Sequence, residues 1–427
     1  TVMKWKLFRR FAALCAALSV SMLAGAQNLS QMSQGNARAE ELGHRSPVVQ
    51  SAYAYLVQQA QTIGDPALKK ETLDALTNPT TCILHRARLG EADKKRIVAE
   101  LIRARLVDRA QNASFPGGIV TGVFPPVAED GTACPHLPQS FLAAPGSSFG
   151  GHHSYPGGLA VHEAMNERAS LDLAANYRER YGKGWQAKGT ADILIDQDIM
   201  IAAPIWHDWA KTIVFQWNAD GTEFPELSLG GAGTMDNNFA AGDSRTGAHH
   251  ILGLAEAMKR GLSPEMLITI ASAHAAPTRA NEFKVVNWLR TAAIIAQVDP
   301  VEKGYVERDK RGRFHLAAVR KLDELPLDRM NPPQTNFLAE YALHNLSDSD
   351  FTYSVAAMES AQLIILQLAP DFGFDPTSTS TEKYNNSFRN PVLSYLTAER
   401  IFILYSEKGL AGVRAELEQL RREKVIP

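Results

Sequence analysis

Three cysteines in 427 residues leave too few for a disulfide-dense scaffold. With no Cys-x-x-Cys pair among them, a thiolate metal site is excluded as well. Long apolar runs are scarce too: Phe11 to Leu23 falls short of the roughly 18 residues a membrane helix needs, and no later segment qualifies. No charge sign dominates, with 44 Lys and Arg against 46 Asp and Glu, so nothing draws the chain as a whole to nucleic acid or an anionic membrane. Repeats and low-complexity tracts are absent, and there is too little alternation of apolar and polar residues for a sheet-based fold. What remains is an all-α reading, in a chain long enough for two or three domains with a sizeable core.

The first residues read as a leader. Lys4, Lys6, Arg9 and Arg10 form a basic start, the short apolar run follows, and Ala24-Gly25-Ala26 supplies a small-x-small cleavage pattern. Residues 1–26 are thus expected to be a signal peptide, giving a secreted or periplasmic protein with no membrane span after cleavage. Arg9-Arg10-Phe11 resembles a twin-arginine signal only in part, so ordinary secretion is expected. Cys15 leaves with the leader. Cys82 and Cys134 either pair, fastening the N-terminal helices to the loop that follows, or stand as two separate buried thiols.

Beyond a polar stretch to Arg45, helices are expected over Val48 to Ile63 and Glu91 to Gln111, then an irregular, Pro- and Gly-rich connection from Asn112 to Gly151. His44, His85 and His136 stand without carboxylate neighbours in sequence and receive no role. Pro156-Gly157-Gly158 launches a helix to about Tyr181, with His162 on its apolar face. A second helix, or a pair bent near Pro204, covers Asp192 to Trp217. Asn218 to Thr246 is a Gly-rich loop placed to act as lid or rim. A third core helix spans Arg245 to Arg260. A fourth begins at Ser263-Pro264 and carries His274, and a fifth carries Trp288, Ala292, Ile295 and Asp299 on one stripe. After Pro300, helices are expected over Phe351 to Leu368, Pro391 to Tyr405 and Gly409 to Arg422, reading as a helical cap. His315 and His344 have no motif around them.

Ile205-Trp206-His207-Asp208-Trp209-Ala210-Lys211 is where chemistry enters. An imidazole and a carboxylate walled by tryptophans are expensive to bury without a cation or a strong hydrogen-bond set. Alone, the pair is more simply a buried ion pair, with Lys211 returning over Asp208. Its neighbours shift the balance. Five helices each bring metal-capable side chains to an apolar face: His162, His207 with Asp208, His249 or His250, His274, and Asp299. Mixed imidazole and carboxylate donors suit Mn, Fe, Co, Ni or Zn better than calcium, so one or two divalent transition-metal ions are the expected cofactor.

This ordered set resembles the HD superfamily of metal-dependent phosphohydrolases, all-helical bundles with the pattern His, His-Asp, optional histidines, Asp. His162, His207-Asp208 and Asp299 match in order, His207 to Lys211 fits an HDxxK form, and HHSYPGGLAVHE looks like the opening of HD domains in 3′–5′ exoribonucleases. The resemblance covers roughly Gly150 to Val301 and implies three parts after the leader. These are an N-terminal helical region with its connection (27–149), an HD phosphohydrolase domain (150–301) and a C-terminal helical region (302–427). No oligonucleotide-binding domain precedes the matching segment.

By the same resemblance, one metal sits on His162, His207, Asp208 and Asp299, and Asp208 bridges to a second on His249 and His274. His249 is preferred to His250 because His249-x-x-x-Gly253 resembles the family spacing. Metals in such a site lower the pKa of water and make hydroxide available near neutral pH to attack a phosphoester. Lys211 either stabilises phosphate charge and assists proton transfer or holds Asp208. His152 and His153 are candidate phosphate contacts, with Arg245 a weaker one. The implied enzyme is a secreted phosphohydrolase or phosphodiesterase acting on a small phosphorylated substrate or nucleotide. Two alternatives share the ligand set: an HD-type diiron oxygenase and a non-catalytic metal-binding helical module.

Overall fold

The structure, a computed structural model, describes residues 29–233, 242–278, 280–320, 338–375 and 381–427. The leader reading lies outside these. The protein is all-α: among the described residues the only sheets are two short antiparallel pairs, Ser228–Leu229 (β1) with Thr246–Gly247 (β2) and Val306–Arg308 (β3) with Phe314–Leu316 (β4). No helix among the described residues is long and apolar enough to cross a membrane.

The N-terminal helices are Asn36–Arg45 (α1), Pro47–Ala60 (α2), Pro66–Thr77 (α3) and Glu91–Arg103 (α4). Ser46 and Asp65 cap α2 and α3 by accepting backbone N–H bonds, each followed by proline in the first turn, where a missing amide costs nothing. The helix expected to run to Gln111 stops eight residues early, where Arg105 turns left-handed. The central helices are Gly158–Tyr181 (α5), Gln197–His207 (α6), the single turn Lys211–Val214 (α7), Ala248–Lys259 (α8), Pro264–Ala271 (α9) and Glu282–Ala296 (α10). Ala339–Ser347 (α11), Phe351–Leu368 (α12) and Ala398–Arg422 (α13), the last kinked at Gly409, follow.

One hydrophobic core runs from Val49 through Trp206 and Leu289 to Tyr341, so α2, α3 and α4 pack into the same interior as the central helices. A second core joins α12 and α13 with Phe388 and Val392, and Tyr155 belongs to it. The tryptophans flanking the His-Asp pair anchor it to the N-terminal helices: Trp206 Nε1 donates to Thr72 Oγ1 and Trp209 Nε1 to the Ala75 carbonyl, at 3.1 and 2.9 Å. Cys82 and Cys134 are bonded, with Cα atoms 5.1 Å apart. The bridge ties the end of α3 to the irregular connection.

Candidate metal centre

Backbone constraints bring the donors together. Gly157, with φ of 80°, opens α5 in the left-handed region, and a Cβ at Gly158 would stand 1.9 Å from the His153 carbonyl, so no other residue fits there. In α6, Pro204 has no amide for the Met200 carbonyl one turn back; Ser170 of α5 donates its hydroxyl to that carbonyl instead, at 3.0 Å. Gly253 lets α8 approach the end of α6, where a Cβ would come within 3.2 Å of the Trp206 carbonyl. The helix expected to continue through Lys211 breaks at Asp208–Ala210, so Asp208 stands at the C-cap of α6.

Four side chains meet at its tip. Asp208 Oδ2 lies 3.4 Å from Nε2 of both His162 and His207, and Asp348 Oδ1 lies 3.2 and 3.3 Å from the same two nitrogens. Asp208 Oδ1 faces the other way, 3.4 Å from His249 Nε2. Asp208, His249 and His274 each offer a donor atom within 4.8 Å of the others. A charge-assisted N–H···O bond is roughly 2.7–2.9 Å long, whereas two ligands on a tetrahedral ion, each about 2.1 Å from it, stand roughly 3.4 Å apart. Distance alone does not decide, since partly buried His315 stands 3.3 and 3.4 Å from two carboxylates. Convergence and burial do: His162, His207, Asp208 and Asp348 are all buried, and His207 Nε2, His249 Nε2 and Asp208 Oδ1 lack hydrogen-bond partners. Such buried groups could hold a metal ion.

The outer nitrogens are tied so that the inner ones face the cage. His207 Nδ1 donates to the Pro204 carbonyl at 2.9 Å, which fixes that proton and turns Nε2 inward. His249 Nδ1 binds Glu226 at 2.6 Å, His274 Nδ1 meets Thr246 Oγ1 at 3.1 Å, and His162 Nδ1 faces Asp350 Oδ1 at 3.4 Å. Ligating histidines are oriented this way by outer partners in metalloproteins generally. Burial pushes the Asp208 and Asp348 carboxyls up, but neighbouring imidazoles, with Lys211 beside Asp208, outweigh it and hold both well below the usual carboxylate range. Burial likewise depresses His207, yet Asp208, Glu163 and Asp348 raise it to about 9. Without a cation, then, protons on the imidazoles carry the positive charge these carboxylates require.

The cage differs from the expected one at its last position. Asp299 is exposed and caps its own turn, accepting from the amides of Val301 and Glu302 at 2.8 and 3.2 Å. The cause is Gln297, whose left-handed backbone ends α10 and swings the chain off the apolar stripe. Asp348, just past α11, takes that place, so the region read as a cap supplies a donor. His344, one turn earlier, sits with its ring 4.9 Å from that of His207, buried and with neither nitrogen partnered. The His344-x-x-x-Asp348 spacing, one helical turn in sequence, was the available signal.

The other candidates sort clearly. His249 points into the cage; His250 bonds the Ala271 carbonyl at 3.1 Å and stacks on His274. His274 lies in the turn after α9, not on it. His152 lines the cavity at the cage, about 250 Å³ in volume, together with Lys211, His274 and Phe351. His153 does not: held in a left-handed conformation, it is buried and turns Nε2 toward Glu399. Arg245 is exposed and clasped by Asp243 through 2.5–3.0 Å bonds, so it does not reach the cavity. The Lys211 ammonium donates to Asp208 Oδ2 and to the Gly146 carbonyl. The histidines given no role beside their own carboxylates include His85, which binds buried Glu256 at 2.8 Å, and His136, which binds Asp130 at 3.0 Å. A larger hollow of about 370 Å³, at Arg38, Arg421 and Lys424, carries no metal-capable side chain. No protein-family model, curated protein or solved structure matches the chain.

Proposed function

We propose that the protein is a secreted, metal-dependent phosphohydrolase of the HD type, acting on a small phosphoester. The observation that carries this reading is the division of Asp208. One carboxylate oxygen faces His162 and His207, which Asp348 faces as well, and the other faces His249, with His274 beside it, so these side chains would hold one cation on each side of Asp208. Bound divalent cations lower the pKa of water and draw charge from phosphoryl oxygens. The chain's own residues do the rest. Glu226 and the Pro204 carbonyl hold two imidazoles in register. The charge of His207, then that of Lys211, keeps Asp208 ionised at the cavity wall. Burial, and then the charge of His162, keep His152 well below the usual imidazole range, so it meets substrate as a neutral group able to donate one N–H. A cavity of about 250 Å³ with Phe351 in its wall suits a small substrate better than a polymer strand. The Cys82–Cys134 bond supports an oxidising compartment.

The test is metal analysis of the purified protein, then a phosphoester and nucleotide screen with that metal restored, monitored for oxygen uptake. Metal-dependent hydrolysis without oxygen consumption, lost by about a thousandfold in Asp208→Ala, is the expected result. Oxygen consumption would point to the diiron oxygenase. Metal binding with no turnover of any kind would leave only the structural module.

A further inference from the structure

One more carboxylate stands at the cage, and the reading above gives it no task. Glu163 follows His162 on α5 and is wholly buried. Its Oε1 lies 3.7 Å from His162 Nε2 and has no hydrogen-bond partner, and its Oε2 lies 3.7 Å from His207 Nδ1, too far for a bond. Among the described residues no lysine or arginine forms an ion pair with it; the two imidazoles are its only such neighbours. A carboxylate so placed is costly to bury unless a cation compensates it.

Convergence, and not burial alone, sets Glu163 apart. Glu167, one turn further along α5, is also buried and unpartnered, yet among the described residues it belongs to no group of metal-capable side chains. Glu163 offers a donor atom within 4.8 Å of one each from His162, His207 and Asp208. Two donors about 2.1 Å from a shared ion stand roughly 3 to 4.2 Å apart, according to the angle between them, and 3.7 Å falls inside that span. Asn166 ties Glu163 to the last member of the cage. Its Nδ2 donates to Glu163 Oε2 at 3.4 Å and to Asp348 Oδ1 at 3.3 Å, while the Ser347 hydroxyl donates to its Oδ1 at 2.6 Å. One buried amide thus holds two carboxylates, from α5 and from just past α11, beside the same pair of imidazoles.

We propose that Glu163 is a ligand of the cation on the His162 side of Asp208, that it sets which metal this side accepts, and that Asn166 positions it. The inference rests on the cage as a two-cation site and not on the phosphoester. With Glu163, the His162 side presents three carboxylates and two imidazoles, whereas the His249 side presents Asp208 and two imidazoles. Five donors rich in oxygen suit Mn²⁺ or Fe²⁺, while Zn²⁺, which settles for four, gains nothing from the fifth. The two positions therefore differ in kind. One is enclosed and holds its ion; the other, where His274 is exposed, leaves places for water and substrate.

The experiment uses the full chain carrying His249→Ala, designed to keep the His162-side ion alone, stripped by chelation and titrated with Mn²⁺ or Zn²⁺. Bound metal is counted by mass spectrometry, and Mn²⁺ is also read by electron paramagnetic resonance. Adding Glu163→Gln should cut Mn²⁺ affinity by more than the roughly 10- to 100-fold that loss of an outer partner costs, and Zn²⁺ affinity by much less; Asn166→Ala should fall within that 10- to 100-fold range. Circular dichroism checks that the variants fold. If Glu163→Gln does not fold, anomalous scattering from wild-type crystals soaked in Mn²⁺ decides, with a peak expected about 2.1 Å from a Glu163 oxygen. No bound Mn²⁺, unchanged affinity in a folded Glu163→Gln, equal loss of both metals, or a peak on His162 and His207 that Glu163 does not reach overturns the proposal. If selectivity shifts as expected and no phosphoester is turned over, the hydrolase reading fails while this one stands.

Discussion

At the scale of single residues, the clearest contrast is between two aspartates. Asp299 was expected in the cage from its place on a stripe, and Asp348 holds the position instead. Asp348→Asn is therefore expected to remove at least one bound ion per chain, and Asp299→Asn none. Elemental analysis of both variants checks it, and equal metal content in the two would reject the assignment. The protonation of the cage has a direction as well. In the cation-free protein His207 is raised to about 9 and His162 lies well above the usual imidazole range, so metal must displace protons to bind. Raising the pH strips the competing protons, so affinity for Mn²⁺ should climb between pH 6 and 8, about tenfold per unit for each proton displaced. Competition titrations giving the same affinity at both ends of that range would count against it.

Elements set what single residues cannot. Glu226 stands ahead of β1, far from His249 in sequence, yet the pairing of β1 with β2 brings it against the first turn of α8. Glu226→Gln should weaken the ion shared by His249 and His274 by about 10- to 100-fold and leave the His162–His207 ion in place, which a two-site titration resolves. On α5, Glu167 is buried with neither carboxylate oxygen partnered, and burial, helped by Glu163, raises it from 4.5 to about 9. The folded protein keeps this proton while the unfolded chain sheds it. Its contribution to stability is thus intact below pH 4.5 and declines as pH rises toward 9. Glu167→Gln should be more stable than wild type by over about 1 kcal/mol at pH 8, with a smaller difference at pH 5. Urea midpoints at the two pH values measure this, and a pH-independent difference would contradict it.

Across the whole molecule, the disulfide and the N-terminal helices brace the centre from outside. Arg260, the C-cap of α8, reaches Glu71, Asp74, Thr81 and the Cys82 carbonyl, and Glu256 of that helix holds the amides of Leu84 and His85. The bridge closes a span of 52 residues, which the chain-entropy estimate equates with about 4 kcal/mol. Reduction, or a double Cys→Ala variant, should lower stability by up to that amount while leaving metal stoichiometry unchanged, since no cage ligand lies within the span. Thermal melts with parallel metal analysis report both quantities.

The all-helical class was legible in the sequence because apolar spacing and caps are local, as at Ser46-Pro47 and Ser263-Pro264. So were His162, His207, Asp208 and His249 as metal-capable groups, since burying them without written partners is costly wherever the chain goes; His274, which the structure leaves exposed, was reached as a ligand through the family resemblance. What the sequence could not supply was the point at which each helix lets go. A left-handed Gln297 removed Asp299, a break after His207 set Asp208 at a helix end, and α11 brought Asp348 from the far third of the chain. Those choices depend on packing between helices distant in sequence. Only the tertiary structure could make them, because a side chain's direction beyond the end of a helix is fixed by what it packs against and not by its own periodicity.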